Sequence, residues 1–262
     1  MKSESKDLFS NHSKIYAQNR PSHPKELFDY LTKNITKREL AWDVATGNGQ
    51  AASLLADYFD NVIATDLSEK QISEAIKKPN IRYEVEPSEA IDSNLIAPNS
   101  VDLITVAVGI HWFPFDKFYE RVNKVLKKGG IIAAWVYWHP EVNKEVNQIH
   151  VQIEKDYFEK YDPIEVEHCK KGYSTIPWPF KTPEWHTKDS DGVNKQFSSV
   201  KHLNLDQYCD YLRTRSSAQL YKEDTEKDAL TENYEQLLKA WGEPEEVKKV
   251  VWNMKLLVGV KE

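Results

Sequence analysis

Two carboxylates and a pair of glycines are the residues of this chain best spaced to hold a ligand. Asp43 stands four positions before Gly47, Gly49 two positions after it, and Asp66 further on at the end of an apolar run. Glycine lets the main chain approach a bound molecule closely, and a helix opening after such a turn offers its unpaired N–H groups. Gly47-Asn48-Gly49-Gln50-Ala51-Ala52 can be written G-x-G-x-x-A, the dinucleotide fingerprint. Asp66 suits a pair of ribose hydroxyls, because an ionised carboxylate only accepts hydrogen bonds. An NAD(P)-dependent oxidoreductase is therefore one reading. Asp43 counts against it: a carboxylate there repels a pyrophosphate and suits a ligand with a positively charged or donor-rich group. Nor does the remainder of the chain supply a second mononucleotide half.

The elements needed to position these groups follow from the apolar periodicity. Leu27, Leu31 and Ile35 predict a helix over 25–35, with Pro24 suited to its first turn. The period then changes. Strands are expected at 40–45, 62–66, 81–85, 101–106 and 131–138, alternating with helices at 50–59, at 69–77 capped by Ser68, and on the face marked by Phe115, Phe118, Val122 and Val125. Lys127-Lys128-Gly129-Gly130 reads as the cationic, glycine-closed end of that last helix. Apolar strands alternating with helices predict an α/β fold with a doubly wound, mostly parallel sheet. Beyond 140 a long helix is expected over 142–157, then a proline- and tryptophan-bearing stretch over 162–195 suited to a lid or cap, a strand at 196–203, helices at 205–214 and 223–240, and a closing strand at 255–261. This organises residues 1–262 as one domain: a core of about 25–140 and 196–262, an N-terminal cover over 1–24, and a cap over about 141–195.

Composition narrows the class. A formal charge of −6 provides no global field for nucleic-acid phosphates or anionic membranes. The longest apolar run, Ile131 to Trp138, falls well short of the ~20 residues that span a bilayer, and the polar start of the chain lacks the apolar core of a secretion signal. Cys169 and Cys209, the only cysteines, have no metal-ligand spacing and fit a reducing, cytoplasmic setting without a metal.

Taken together, several motifs match one family. Asp43-x-x-x-Gly47-x-Gly49, Asp66 at the second strand end, Pro87-Ser88-Glu89 after the third, Asp102-Leu103-Ile104 in the fourth and Leu126-Lys127-Lys128-Gly129-Gly130 before the fifth resemble the Rossmann-like (class I) S-adenosylmethionine-dependent methyltransferases. The resemblance covers roughly residues 10–140. It implies a seven-stranded sheet of order 3-2-1-4-5-7-6, its seventh strand antiparallel, with 196–203 and 255–261 as the last two strands. Tyr16-x-x-x-Arg20-Pro21, His111-Trp112-Phe113 and Tyr211-Leu212-Arg213-Thr214-Arg215-Ser216-Ser217 are further similar to the trans-aconitate methyltransferase-like subgroup, which acts on small molecules. In the last motif the subgroup's usual Trp is replaced by Arg215.

Residue by residue, the resemblance implies the following. Ala45, Gly47 and Gly49 approach the methionyl and ribose parts of the cofactor, Asp43 answers its ammonium, Asp66 takes both ribose hydroxyls and Leu67 packs on the adenine. Ser88 and Glu89 meet the exocyclic amine, although Glu89 equally fits a solvated acid. Ala107 lines the methyl-donor channel, and Tyr16 and Arg20 close over the cofactor, Arg20 pairing with its carboxylate or with an acidic substrate. His111 is the candidate catalytic group, either accepting a proton from a hydroxyl nucleophile or orienting a carboxylate. Trp112, Tyr211, Arg213 and Arg215, together with Arg20, are the candidate substrate contacts. The expected activity is methyl transfer from S-adenosylmethionine to a carboxylate or hydroxyl oxygen of a small molecule, leaving S-adenosylhomocysteine and using no metal. The chain is expected to be a cytoplasmic monomer or weak dimer without nucleic-acid or membrane partners; a non-catalytic binding protein on the same fold is the further alternative.

Overall fold

A computed structural model describes residues 20–187 and 197–262. Tyr16 and most of the expected N-terminal cover lie outside the described residues, as does the segment 188–196. The described residues form seven strands: β1 (Leu40–Val44), β2 (Asn61–Asp66), β3 (Ile81–Val85), β4 (Val101–Ala107), β5 (Leu126–Glu141), β6 (Phe197–Leu203) and β7 (Lys248–Val260). They form one sheet in the order β3-β2-β1-β4-β5-β7-β6 with β7 antiparallel, as the sequence implies.

The centre of the sheet is where the apolar pattern is continuous. Six successive residues of β4, Val101 to Val106, are buried, as strands covered on both faces require. Parallel pairing sets Trp42 of β1 beside Ile63 of β2 and Ile104 of β4, and sets Asp43 beside Thr105. Trp42 is fully buried and satisfies its indole N–H on Thr65 Oγ1 at 3.0 Å. The helix Lys25–Thr32 buries Leu27, Phe28 and Leu31, and Gln50–Leu55 buries Ala51, Ala52 and Leu55. No helix among the described residues is long and apolar enough to cross a membrane.

Several boundaries differ from the sequence expectation, each for a local reason. The helix begun at Ser68, whose hydroxyl accepts from Gln71 N as a cap should, stops at Ser73 rather than 77, because the chain turns back and the Ile76 N–H bonds to Asn48 O. Lys127 to Gly130 do not close the preceding helix, which ends at Val125; Leu126 is already extended and pairs with Val101. Gly129 lies at φ +77°, and the register shifts between Val101 and Leu103, so the glycines form an irregular entry to β5. The long helix expected over 142–157 is α-helical only over Lys144–Ile153 and widens into a π-helical turn at Glu154–Phe158. The helix expected over 223–240 is broken into Ser216–Thr225, Ala229–Glu232 and Tyr234–Trp241: Glu226 adopts a left-handed φ of +59°, and Asp228 caps a new start by accepting from Leu230 N and Thr231 N. Periodicity saw the shared apolar face but not the break in it.

Two compact units are distinguished along the chain. One comprises 23–138, 167–187, Phe197 and 253–262; the other comprises 139–166 and 198–252 with the described residues 20–22. The stretch 167–187 thus packs with β1 to β4, while the helix Lys144–Ile153 belongs with Leu205–Arg213.

Asp102 fastens three strand starts in the first unit. It is buried and accepts from Glu39 N at 3.0 Å, Leu40 N at 3.1 Å and Lys127 Nζ at 2.7 Å. Asp102→Ala leaves two main-chain donors unanswered and Lys127 with its ion pair to Glu39 alone, and should cost about 2–4 kcal/mol, lowering the thermal midpoint by several degrees. A midpoint within a degree of wild type in scanning calorimetry would show that this anchor carries no weight.

Candidate active site

The C-terminal ends of β1 and β4 meet in a cradle of strained backbone. Ala45, Gly47 and Gly49 lie at φ +53°, +56° and +81°, and Val108, just beyond β4, at +55°. For alanine this is uncommon and for a β-branched valine a real outlier, the kind of strain that persists only where the surroundings fix it. Gly109 shows why they do: a Cβ there would stand 2.9 Å from the Ala45 Cβ, so only glycine lets the two loops close on each other. A Cβ on Gly49 would fall 2.2 Å from the Tyr83 hydroxyl, which itself donates to Ile76 O at 2.7 Å. The turn is thereby held from both sides, with the N-terminus of Gln50–Leu55 opening out of it.

Beneath this turn Asp43 is fully buried. Its two oxygens accept from Thr46 Oγ1 at 2.5 Å and Thr105 Oγ1 at 2.6 Å. Burial pushes its carboxyl up to about 6, with the Asp66 charge adding to the rise, against the lowering by the Thr105 and Thr46 hydroxyls. Asp66 accepts from Gly47 N at 2.8 Å with one oxygen and from Ser68 N at 2.9 Å with the other. These two main-chain bonds fix the orientation of the Asp66 carboxylate. Leu67, the next residue, is 70% exposed, an apolar side chain standing open beside the carboxylate.

The loop after β3 brings Ser88 and Glu89 together, the Ser88 hydroxyl donating to Glu89 Oε2 at 2.9 Å. What places that loop is Arg121, on the helix Phe115–Val125. Its buried guanidinium ion-pairs with Glu86, donates to Pro87 O at 2.7 Å and lies 4.4 Å from the Trp42 ring centroid. Sequence reasoning missed Arg121, though a signal existed: it falls on the same helical face as Phe118, Val122 and Val125. Thr46 and Thr105, the donors on Asp43, were also missed. Thr46 lies three residues from Asp43 in sequence, but Thr105 comes near it only through strand register.

On the β4 side, Ala107 is half-buried at the strand end and Ile110–Trp112 forms a 3-10 turn. His111 is buried, with Nδ1 3.0 Å from the Tyr173 hydroxyl, whereas Trp112 is 43% exposed and stacks obliquely at 4.9 Å from the His111 ring. Burial, with the His168 charge adding to it, pulls the His111 imidazole down to about 3, so it is neutral at physiological pH.

The remaining candidates belong to the other unit. Arg20 donates to Thr214 O at 3.1 Å and its guanidinium lies 5.9 Å from the Tyr211 ring centroid, so the first and last of the subgroup-like motifs do come together. Arg213 is committed elsewhere: it pairs with Asp228 at 2.8 Å and Asp210 at 3.0 Å, bracing the capped helix start that breaks the expected 223–240 helix. Arg215 is buried in an ion pair with Glu154, and burial next to Arg20 lowers its guanidinium to about 9. Glu154 also has an oxygen 3.2 Å from His139 Nδ1 and one 3.1 Å from His150 Nε2, a grouping of metal-ligating types. The Arg215 guanidinium already lies on the oxygen that faces His150, so the carboxylate charge is answered without a cation.

A sheet of order 3-2-1-4-5-7-6 with a glycine turn after β1, an acidic residue closing β2 and an acidic loop after β3 defines the class I methyltransferase architecture. Comparison with known proteins agrees. Residues 42–134 match the model of a methyltransferase domain. The chain is 32% identical over 240 residues to a methyltransferase-family protein of Dictyostelium discoideum, covering 90% of this chain and 86% of that one. It is 32% identical over 159 residues to a Saccharomyces cerevisiae protein of the S-adenosylmethionine-dependent methyltransferase family, covering 56% of this chain and 54% of the other. Among solved structures, a type II methyltransferase-family protein from Anaeromyxobacter dehalogenans superposes with a TM-score of 0.79 at 31% identity, covering 92% of this chain and 97% of that one. The chain belongs to the S-adenosylmethionine-dependent methyltransferases. That membership displaces the nicotinamide oxidoreductase and the non-catalytic binding protein as readings of the glycine turn.

Replacing Arg121 by Met keeps the stem packed on Trp42 while releasing Glu86 and the Pro87 carbonyl. Amide exchange at Ser88 and Glu89 should quicken by an order of magnitude or more, reflecting the loss of charged hydrogen bonds of about 1.5–3 kcal/mol each. Unchanged protection there would mean the loop holds itself.

Proposed function

We propose that the protein transfers the methyl group of S-adenosylmethionine to a carboxylate or hydroxyl oxygen of a small molecule, the cofactor lying in the cradle formed by Ala45, Gly47, Gly49 and Gly109. The observation that carries this reading is the buried Asp43 beneath an open main-chain turn, a site built for a cationic amino-acid end and unsuited to a pyrophosphate. When bound, S-adenosylmethionine supplies an electrophilic methyl on a sulfonium whose departure leaves an uncharged thioether.

The chain's own residues then have positional tasks. Asp66, already oriented by Gly47 and Ser68, accepts the two ribose hydroxyls, and the exposed Leu67 covers one adenine face. Ser88 and Glu89 receive the exocyclic amine. Sealed from solvent, Asp43 acts as a fixed negative charge below the cofactor's ammonium rather than as an exposed ligand. Ala107 borders the methyl path, and His111 and Trp112 face the substrate. Within the other unit, Arg20, Tyr211 and Arg215 are the candidate group for an acidic ligand, and Arg213 holds the helix start at Asp228. Holding the nucleophile about 3 Å behind the methyl, in line with the departing sulfur and away from water, is worth roughly 7–11 kcal/mol of the barrier. Support for small-molecule oxygen as the acceptor comes from the arginines and from the absence of any need to deprotonate a carboxylate.

Asp66→Ala should weaken S-adenosylmethionine binding at least tenfold by calorimetric titration, since two charge-assisted hydrogen bonds are lost; an unchanged affinity would mean the ribose is held elsewhere. A radiolabelled methyl-transfer assay over a panel of small carboxylic acids and alcohols tests the acceptor. Alkali-labile methyl esters from the acids, or alkali-stable methyl ethers from the alcohols, are the expected products, and label confined to nitrogen acceptors would contradict the proposal.

Asp43 also makes a stability prediction. Its folded carboxyl, at about 6, lies above the ordinary value of 3.8, so the folded chain binds more protons between those two pH values and Asp43's contribution to stability falls as pH rises through that window. At neutral pH the burial cost is on the order of 3 kcal/mol. Asp43→Asn should therefore raise the thermal midpoint of the ligand-free protein while weakening cofactor binding. A variant that loses both stability and affinity would assign Asp43 to the fold alone.

A further inference from the structure

His111 has two ring nitrogens, and which one carries the proton decides what it can do. Nδ1 stands 3.0 Å from the Tyr173 hydroxyl; Nε2 makes no hydrogen bond among the described residues and is not among the polar atoms sealed from solvent. Tyr173 is almost completely buried, so its single phenolic proton must go to a neighbour. Two are within reach: His111 Nδ1 and the side chain of Cys169, with which it also shares a hydrogen bond. An unprotonated imidazole nitrogen is a good acceptor and a thiol sulfur a weak one, while the thiol can donate its own proton to the phenolic oxygen. The arrangement with the stronger bonds therefore runs from the Cys169 thiol to the Tyr173 oxygen, and from the Tyr173 hydroxyl to His111 Nδ1.

The backbone supports the same assignment. Gly172 and Tyr173 both lie in the left-handed region, at φ +58° and +63°, where the chain leaves the helix Val166–Lys170. Tyr173 N donates to His168 O at 2.8 Å, closing that turn. A left-handed residue after a helix is ordinarily glycine or asparagine; a bulky aromatic stays there only when its side chain is held. Here the ring packs 5.9 Å from that of His111. The titratable side chain facing this pair, His168, is itself bonded through Nδ1 to Thr175 Oγ1 at 2.8 Å.

We propose that Tyr173 is a positioning residue that fixes His111 in the tautomer with its proton on Nε2, so that His111 meets the substrate as a hydrogen-bond donor and not as a base. The inference rests on His111 facing the substrate, as assigned above, and it sharpens the substrate class. An N–H at Nε2 binds an oxygen that already carries charge. A hydroxyl that must lose its proton before attack would find no acceptor there. The acceptor substrate is accordingly an acid ionised in solution, and the low basicity of the buried imidazole agrees with that role.

Long-range proton–nitrogen NMR of the 15N-histidine-labelled chain reads the tautomer directly. In the wild type between pH 6 and 8, His111 should show a protonated Nε2 and an unprotonated Nδ1. In Tyr173→Phe, which keeps the ring and removes the donor, the ratio should move toward Nδ1–H by roughly three- to tenfold, the equivalent of one hydrogen bond. A wild-type His111 protonated on Nδ1 would overturn the proposal, and so would a ratio untouched in a folded Tyr173→Phe chain. If that variant fails to fold, the wild-type spectrum decides alone. S-adenosylhomocysteine titrated into the same wild-type sample separates the two levels of the argument: failure to bind would sink the cofactor assignment and leave the tautomer result standing.

Discussion

The site depends on one pairing in the sheet, the parallel register that sets Asp43 of β1 beside Thr105 of β4. Register in a buried parallel sheet is fixed by the apolar residues on either side, here Trp42 against Ile104 and Ala41 against Leu103. Thr105 thereby becomes the donor to one oxygen of a fully buried carboxylate. With Thr46 on its other oxygen, Asp43 can remain where solvation alone would reject it. The negative charge under the glycine turn is thus a product of core packing. Nothing on the surface could be exchanged for it without moving the strands.

Around that charge, each proposed binding group is braced by another residue. Gly109 admits Ala45, Tyr83 abuts Gly49, Gly47 and Ser68 orient Asp66, Arg121 carries the loop of Ser88 and Glu89, and Tyr173 holds His111. Displacement at an sp3 methyl asks for little besides alignment and dryness, so stiffness in the supporting residues is the main thing a protein can contribute. The positive φ angles at Ala45 and Val108 are the visible cost of that stiffness.

The strands, and the carboxylates and glycines at their ends, were legible in the sequence because each is written locally: an apolar run, then a carboxylate, then a turn; the sheet order came only with the family resemblance. Asp43, Gly47, Gly49, Asp66 and the Ser88–Glu89 pair all fall at strand ends that periodicity alone locates. The supporting residues were not legible in the same way. Thr105 matters through register, and Tyr173 through a turn in a stretch without periodicity, so neither carries a local mark. Arg121 did carry one, as the single charge on an apolar helix face. Arg213 shows another limit: its partner Asp228 caps a helix start that helical periodicity read as mid-helix.

The central claim is that the turn from Ala45 to Gly49, with Asp66 beside it, is the floor of the cofactor site. A crystal structure of the chain with S-adenosylhomocysteine tests it most directly. The account predicts both ribose hydroxyls within hydrogen-bonding distance of the Asp66 carboxylate and the amino-acid end over the main chain above Asp43. A ribose bound away from Asp66, or a cofactor lodged outside the β1–β4 cradle, would contradict it.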